Sequence, residues 1–226
     1  MRTTYSLFAH GLATALLVAP VKQACSEGVL ARLYSARPPP GSSFVRIVNP
    51  QDTSLAVKIA AGPTETLAPE HPASAYVVIA ENVSYPVALQ GQVSQHRSPT
   101  AGAFQTLIAH KRDQAWQYIS IEDPDQNADG LKAALRFYNV AQDCPTARVT
   151  LGQDGPPVFA ETRLMTGSSR TINPVSAKLV AWCGERAASL TLPILRAGDH
   201  YSLFLVQGAG ALQLVGQHNR TEDYTK

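Results

Sequence analysis

Few residues of this chain combine the types and the spacing that catalysis requires. Asp199 and His200 are adjacent, and Ser202 follows at a spacing that places it on the strand face of His200. Acyl transfer would also need an oxyanion hole, but the sequence has neither a Gly-x-Ser-x-Gly elbow nor an early Gly-Asp-Ser block. We therefore expect Asp199 to belong to a tight turn and His200 to begin a strand. An acetyltransferase that uses these three residues remains an alternative.

Other polar groups suggest structure rather than chemistry. His110 and Asp113 fall in a short polar stretch that predicts the tip of a hairpin. The six histidines are scattered without the paired spacing of zinc ligands, and no Cys-x-x-Cys occurs, so we expect neither a metal nor a cofactor. Five aromatic residues are candidate sugar platforms, but their strand alternation favours core packing. They are Tyr76, Trp116, Tyr118, Tyr138 and Trp182.

The amino terminus has the pattern of an exported protein. Arg2 is followed by an apolar run, Leu12 to Ala19, and then by small residues, which is typical of a secretory signal peptide over residues 1–28. Lys22 lies where a lipoprotein signal needs a small or aliphatic residue, so we expect Cys25 to be removed. The chain is therefore expected to be exported, with no stable membrane span in the mature protein.

Composition indicates an ordinary globular protein. The chain is 45% apolar and 16% charged, with 16 prolines, 15 glycines and a formal net charge of +2. These values give no reason to expect a nucleic-acid binder and predict many turns.

The sequence repeats one β unit twice. The corresponding segments are Val45–Asn49 and Leu135–Asn139, Leu55–Ile59 and Thr146–Thr150, and Gly102–Ile108 and Gly198–Leu205. A period this long indicates a duplicated domain rather than a solenoid. Apolar residues alternate with polar ones in most of these segments, so we predict an all-β protein of two tandem, jelly-roll-like β-sandwich domains. Tyr76 to Ala80 and Tyr201 to Val206 are apolar on both faces, as strands covered by a second domain would be.

The boundaries follow from composition. We place the N-terminal sandwich at residues 29–121 and the C-terminal sandwich at 130–218. Residues 122–129, rich in acidic residues, are expected to be a solvated linker, and 219–226 a frayed polar tail.

Two cysteines remain in the exported chain. Cys144 and Cys183 lie near the ends of predicted strands in the second domain, and the oxidising compartment permits a disulfide between them. Two separately buried thiols are the alternative, because the first domain has no matching pair.

One family resembles the chain over most of residues 30 to 216. The opening segment Leu33 to Asn49 (LYSARPPPGSSFVRIVN) is similar to the start of mature proteins of the AlgF family of alginate O-acetylation proteins. In the second unit, Arg136 to Asn139, Asn173 to Val175 and Gly198 to Tyr201 are similar as well.

The resemblance implies a non-catalytic periplasmic adaptor required for O-acetylation of an exopolysaccharide. Its partners would be periplasmic SGNH-type acetyltransferases and a membrane-bound O-acyltransferase. Alginate is the expected polymer, and acetylated cellulose is an alternative. Arg46 and Arg136, projecting opposite the inferred core faces, are the candidate partner-binding residues, although an ordinary solvated strand face would look the same. A carbohydrate-binding module for the polymer is the competing function.

Overall fold

The computed structural model describes residues 38–123, 131–208 and 210–224. These residues belong to one compact unit. The predicted signal peptide, Cys25 and most of the predicted linker lie outside the described residues. Within the described residues, no helix is long and apolar enough to cross a membrane.

The first half of the chain forms a sandwich of two four-stranded sheets. Its strands are β1 (Ser43–Val48), β2 (Leu55–Ile59), β3 (Thr64–Leu67), β4 (Val77–Ile79), β5 (Ser84–Leu89), β6 (Gln92–Arg97), β7 (Phe104–Arg112) and β8 (Ala115–Glu122). The inner sheet has the order β4-β1-β7-β8 and the outer sheet the order β3-β2-β5-β6. Strands β1 and β7 are parallel, and the other pairs in this half are antiparallel.

The second half builds a second sandwich. Its strands are β9 (Ala133–Asn139), β10 (Thr146–Leu151), β11 (Pro157–Arg163), β12 (Thr166–Ile172), β13 (Lys178–Cys183), β14 (Arg186–Thr191), β15 (His200–Gln207) and β16 (Leu212–His218). The inner sheet has the order β12-β9-β15-β16 and the outer sheet the order β11-β10-β13-β14, with β9 and β15 parallel. Strand for strand, this is the topology of the first sandwich. The predicted duplication and the all-β fold of two sandwiches are therefore confirmed.

An asparagine has the same structural role in each copy of the repeated unit. The side-chain amide of Asn49 donates to the carbonyls of Thr53 at 2.7 Å and Leu67 at 3.4 Å. The amide of Asn139 donates to the carbonyls of Cys144 at 2.9 Å and Thr162 at 3.1 Å. Each amide thus satisfies backbone acceptors where the chain crosses from the inner to the outer sheet.

The central strands of the inner sheets are buried on both faces. In β1, Val45 and Ile47 point into the core of their own sandwich, while Val48 belongs to another apolar cluster formed by both halves. That shared cluster contains Val48, Ala73, Ile108 and Ile121 of the first half and Tyr138, Val140, Phe204 and Val206 of the second. The sandwiches therefore pack inner sheet against inner sheet. Strand β15 is buried along most of its length, as the apolar run Tyr201 to Val206 predicts.

Two boundary predictions need correction. Glu122 ends strand β8, and Asp123 is buried rather than part of a solvated linker. The tail is also not frayed where the structure describes it. The backbone N–H of Tyr76 donates to the carbonyl of Arg220, and the backbone N–H of Glu222 donates to the carbonyl of Tyr76. Both predictions treated polar residues as solvated, whereas these groups have partners in the other sandwich or in a neighbouring sheet.

Cys144 and Cys183 form a disulfide in the structure, with Cα atoms 5.6 Å apart. Both sulfur-bearing side chains are buried in the core of the second sandwich. The bond ties the connection that precedes β10 to the end of β13, and so links two strands of the outer sheet.

Replacing both cysteines by alanine should lower the free energy of unfolding by about 3 to 4 kcal/mol, because the bond limits the entropy of a long loop in the unfolded chain. Urea titration of the oxidised wild type and the C144A/C183A variant measures the difference. Reduced wild-type protein is the matched control and should approach the variant. Equal stability of all three samples would contradict a structural role for the bond.

Candidate functional site

A buried polar network lies at the centre of the interface between the two inner sheets. Arg46 is 1% exposed, and its Nε donates to Oγ1 of Thr106 at 3.0 Å. Its other two nitrogens donate across the interface, Nη1 to Oδ1 of Asn219 at 2.9 Å and Nη2 to Oγ of Ser202 at 3.1 Å. One guanidinium therefore bonds both sandwiches at once.

Asp123 is the acidic member of this network. Its carboxylate accepts hydrogen bonds from Tyr138 at 2.7 Å, from Tyr76 at 2.7 Å and from Thr106 at 2.8 Å. Tyr138 belongs to the second sandwich, so this residue also bonds across the interface. Asp123 is the acidic side chain among the described residues of this network, and it interacts electrostatically with Arg46.

The network follows the internal duplication. Arg46 pairs in register with Thr106 on the parallel neighbour strand, and Arg136 pairs in the same way with Ser202. Arg136 is 2% exposed, and its Nη1 donates to the Tyr76 hydroxyl at 3.4 Å. The two arginines thus occupy equivalent places on two equivalent sheets.

This placement corrects the expectation for the two arginines. They do project opposite the core faces, but those faces are not solvated, because each inner sheet covers the other. Neither side chain is available at the outer surface of this structure for a separate partner. The sequence pattern gives the strand face of each arginine but not what covers that face.

Burial and charge act in opposite directions on the network. Burial alone would lower the pKa of Arg46, but electrostatic interactions with Tyr76, Tyr138 and Asp123 outweigh it and raise that pKa. Burial raises the pKa of Tyr76 and of Tyr138, so both phenols stay protonated and continue to donate to Asp123. The phenols therefore bind Asp123 through hydrogen bonds, and Asp123 contributes electrostatically to the stabilisation of the Arg46 cation.

The alternative catalytic residues, Asp199, His200 and Ser202, do not include an accessible nucleophile. The Ser202 hydroxyl is completely buried, donates to Oδ1 of Asn219 at 2.7 Å and accepts from Arg46. Oδ2 of Asp199 accepts the backbone N–H of Arg196 at 2.7 Å, which is the turn role expected from the sequence. Ser202 is therefore part of the interface, and a substrate could not reach its oxygen in this structure.

The remaining sequence candidates also have structural places. The predicted hairpin is present, with its two-residue turn at Asp113 and Gln114, whose φ values are 50° and 66°. His110 lies within β7 and pairs with Gln117, so it is not part of the tip. Tyr76 and Tyr138 are buried, and Trp116, Tyr118 and Trp182 are half-buried. Across residues 38–123, 131–208 and 210–224, no cluster of three or more histidine, cysteine or acidic side chains could hold a metal ion.

A polar cleft opens where the two sandwiches meet at one edge of the interface, and its volume is about 540 Å³. Gln51 and Asp52 line it from the first sandwich, and Gln142 and Asp143 line it from the corresponding connection of the second. Lys111 adds a cation. A hydrogen bond from Arg186 holds the pKa of Asp143 below its ordinary value, so this carboxylate is ionised at neutral pH.

Sequence reasoning missed Thr106, Asp123, Ser202 and Asn219 as members of the interface network. Three are small polar residues that also suit an exposed strand, and Asp123 adjoins an acidic stretch that looks solvated. The available signal was the arginine at the same place in both copies of the repeat. When both copies of a repeat carry an arginine at the same strand position, and that strand face is covered, each guanidinium needs hydrogen-bond acceptors on the facing residues.

No family model matches the chain, and no curated protein sequence matches it. Among solved structures, the N-terminal domain of AlgF from P. aeruginosa is similar at 21% identity over 37% of this chain and 98% of that domain, with a TM-score of 0.29. A family 26 carbohydrate-binding module from Eubacterium rectale, in complex with maltoheptaose, covers 76% of this chain and 95% of its own at 11% identity and a TM-score of 0.30. A Bacteroides ovatus protein described as a cell adhesion protein covers 84% and 99% at 10% identity and a TM-score of 0.26. These identities and TM-scores carry no functional argument.

Asp123→Asn should lower the free energy of unfolding by about 3 kcal/mol, because it leaves the buried Arg46 cation without its anion. Asn219→Asp is the matched control. It places a carboxylate at the equivalent position, directly on Arg46, and should cost less than about 1 kcal/mol. Chemical denaturation of both variants beside the wild type tests the pair, and equal losses would contradict the assigned role of Asp123.

Stability should also fall as the pH drops below about 6.5, the ordinary pKa of a histidine. Burial lowers the pKa of His200, and Arg136 lowers it further, against an opposing effect of Asp199. Below the pKa of an unfolded histidine, the unfolded chain binds a proton at His200 more readily than the folded protein does. The contribution of neutral His200 to the free energy of unfolding is therefore complete above that pKa and is lost on acidification. Denaturation curves between about pH 7 and pH 5 should be less pH-dependent for His200→Gln than for the wild type, and an unchanged dependence would argue against this residue.

Proposed function

We propose that this protein is a non-catalytic periplasmic adaptor for the O-acetylation of an exopolysaccharide, with alginate as the expected polymer. It bridges the periplasmic SGNH-type acetyltransferases of the system and works with a membrane-bound O-acyltransferase. We propose O-acetylation as the process because the opening segment, Leu33 to Asn49, resembles the AlgF family of alginate O-acetylation proteins.

The observation that carries the adaptor role is the bonded interface between the two sandwiches. Hydrogen bonds from Arg46 and to Asp123 cross it, and a shared apolar cluster surrounds them. Two domains fixed in this way present their outer sheets and free ends at a set distance. An adaptor needs that property, because it must hold two partners in a defined relation without contributing reactive groups.

A second function is favoured by the polar cleft between the sandwiches. Amides and carboxylates at equivalent positions, together with Lys111, offer hydrogen-bond donors and acceptors of the kind that bind sugar hydroxyls. Clefts at domain interfaces are common ligand sites. In this alternative the protein is a carbohydrate-binding module for the polymer.

One pair of measurements separates the two functions. The mature chain, Val29 to Lys226, is used to capture the purified SGNH-type acetyltransferase from the same operon, and alginate oligosaccharide binding is measured by calorimetry. We expect the enzyme to bind and the sugar to give no heat. The variant Lys111→Glu is the control, because it alters the polar cleft and should leave enzyme capture unchanged.

Sugar binding without enzyme capture would overturn the adaptor function in favour of the carbohydrate-binding module. Loss of sugar binding in Lys111→Glu would then place the oligosaccharide in the cleft between the sandwiches.

A further inference from the structure

Exposed apolar side chains are concentrated at one end of the second sandwich. Four of the seven large apolar residues that are exposed among the described residues belong to this end. They are Leu131, Leu151, Val175 and Ile194, of which Leu131 is 81% and Ile194 is 78% exposed. Such a concentration on one end of a domain is typical of an interaction site, whereas single exposed apolar residues are ordinary.

The sheet register places these residues together. Leu151 ends β10 opposite Leu179, near the start of β13. The backbone N–H of Leu192 donates to the carbonyl of Ala177, which brings the chain around Val175 close to the segment that contains Ile194. The carbonyl of Lys132 accepts from Gly198, so Leu131 comes to the same end.

A cleft of about 510 Å³ opens at this end, and we call it the basal cleft. Its apolar lining includes Leu135, Leu179 and Leu192, which belong to the core of the sandwich, together with Leu151 and Val175. The cleft thus lets an incoming side chain reach the edge of the hydrophobic core. Its volume is within the range that binds a small ligand or a large side chain.

The charged lining of the basal cleft has one sign. Arg170 and Lys132 line it, and none of its lining residues is acidic. Arg170 in β12 is exposed, and its Nη1 donates to the carbonyl of Val158 in β11 at 3.3 Å. The occupant that complements this lining combines an apolar side chain with a carboxylate.

The first sandwich shows what such an occupant looks like. Val77 and Arg170 hold the same place in the two repeats, because each pairs with the equivalent residue of β1 or β9. Around Val77 the first sandwich has a corresponding cleft of about 440 Å³, lined also by Glu222, Asp223 and Tyr224 of the carboxy-terminal tail. An extended segment with two acids and an aromatic residue therefore lies along the equivalent corner.

We propose that the basal cleft is the docking site for an extended segment of a partner acetyltransferase, in which a large apolar residue lies next to carboxylates. The apolar side chain enters between Leu151 and Val175, and the carboxylates face Arg170 and Lys132. This assignment rests on the proposed adaptor function and names the surface through which it operates.

Two substitutions in the basal cleft test the assignment. Val175→Asp places a charge in the apolar part, and Arg170→Glu reverses the recognition charge. Each should weaken the binding of the purified acetyltransferase about tenfold or more, as loss of an interface anchor does. The matched controls are Val93→Asp and Lys58→Glu, at exposed positions of strands in the first sandwich, and both should bind like the wild type. Circular dichroism and thermal unfolding of all four variants confirm that each is folded.

The outcomes distinguish the docking site from the function on which it rests. Capture of the enzyme by the wild type and equally by both cleft variants would overturn the docking site and leave the adaptor function standing. No capture by the wild type would overturn the adaptor function and the docking site together. Alginate binding that both cleft variants lose, with enzyme binding intact, would reassign the cleft to the polymer and also overturn the proposal.

Discussion

The structure depends on accommodating a cation in the middle of a domain interface. Arg46 is held away from water, so its charge must be matched by groups supplied from elsewhere in the fold. The matching groups come from both sandwiches, and Asp123 provides the negative charge from the end of the first one. Separating the sandwiches would expose a shared apolar cluster and would also break hydrogen bonds to a charged group. Apolar burial favours contact between the two domains but does not fix their angle. The hydrogen bonds of the Arg46 guanidinium do, because they restrict the angles at which the two inner sheets can meet.

Duplication explains how such an interface can arise and what then changed. Equivalent sheets meet through equivalent faces, as in a symmetric dimer whose subunits have been joined in one chain. The chemistry has nevertheless diverged, because Asp123 in one copy corresponds to Asn219 in the other. The outer features have diverged as well, with a disulfide in the second sandwich alone among the described residues. The shared faces retained their buried arginines, whereas the free ends acquired different charges and different apolar content.

The fold was accessible from the sequence because alternation and repetition are local signals. The strands around Val45 and Leu135, the hairpin at Asp113 and the double-sided burial of β15 all follow from residue patterns along one segment. The parallel pairing of β1 with β7 does not, since five other strands separate these two along the chain. The polar network of the interface was not predicted for the same reason, although the apolar run Tyr201 to Val206 indicated that a second domain covers β15. A polar residue such as Asp123 reads as solvated unless its distant partners are known, and alternation alone cannot show that the outward face of β1 is covered by another sheet.

The pairing of Tyr76 with the carboxy-terminal tail has a consequence for the path of the chain. The second sandwich follows Asp123, which is bonded within the interface, and its last strand leads into residues that lie along the edge of the first sandwich. Both ends of the second domain are therefore fastened to the first, and the domain cannot swing away as a unit hung from one linker. A fusion partner or affinity tag placed after the tail would emerge beside the first sandwich rather than at the far end of the molecule. Distances measured from such a label would report on the amino-terminal domain.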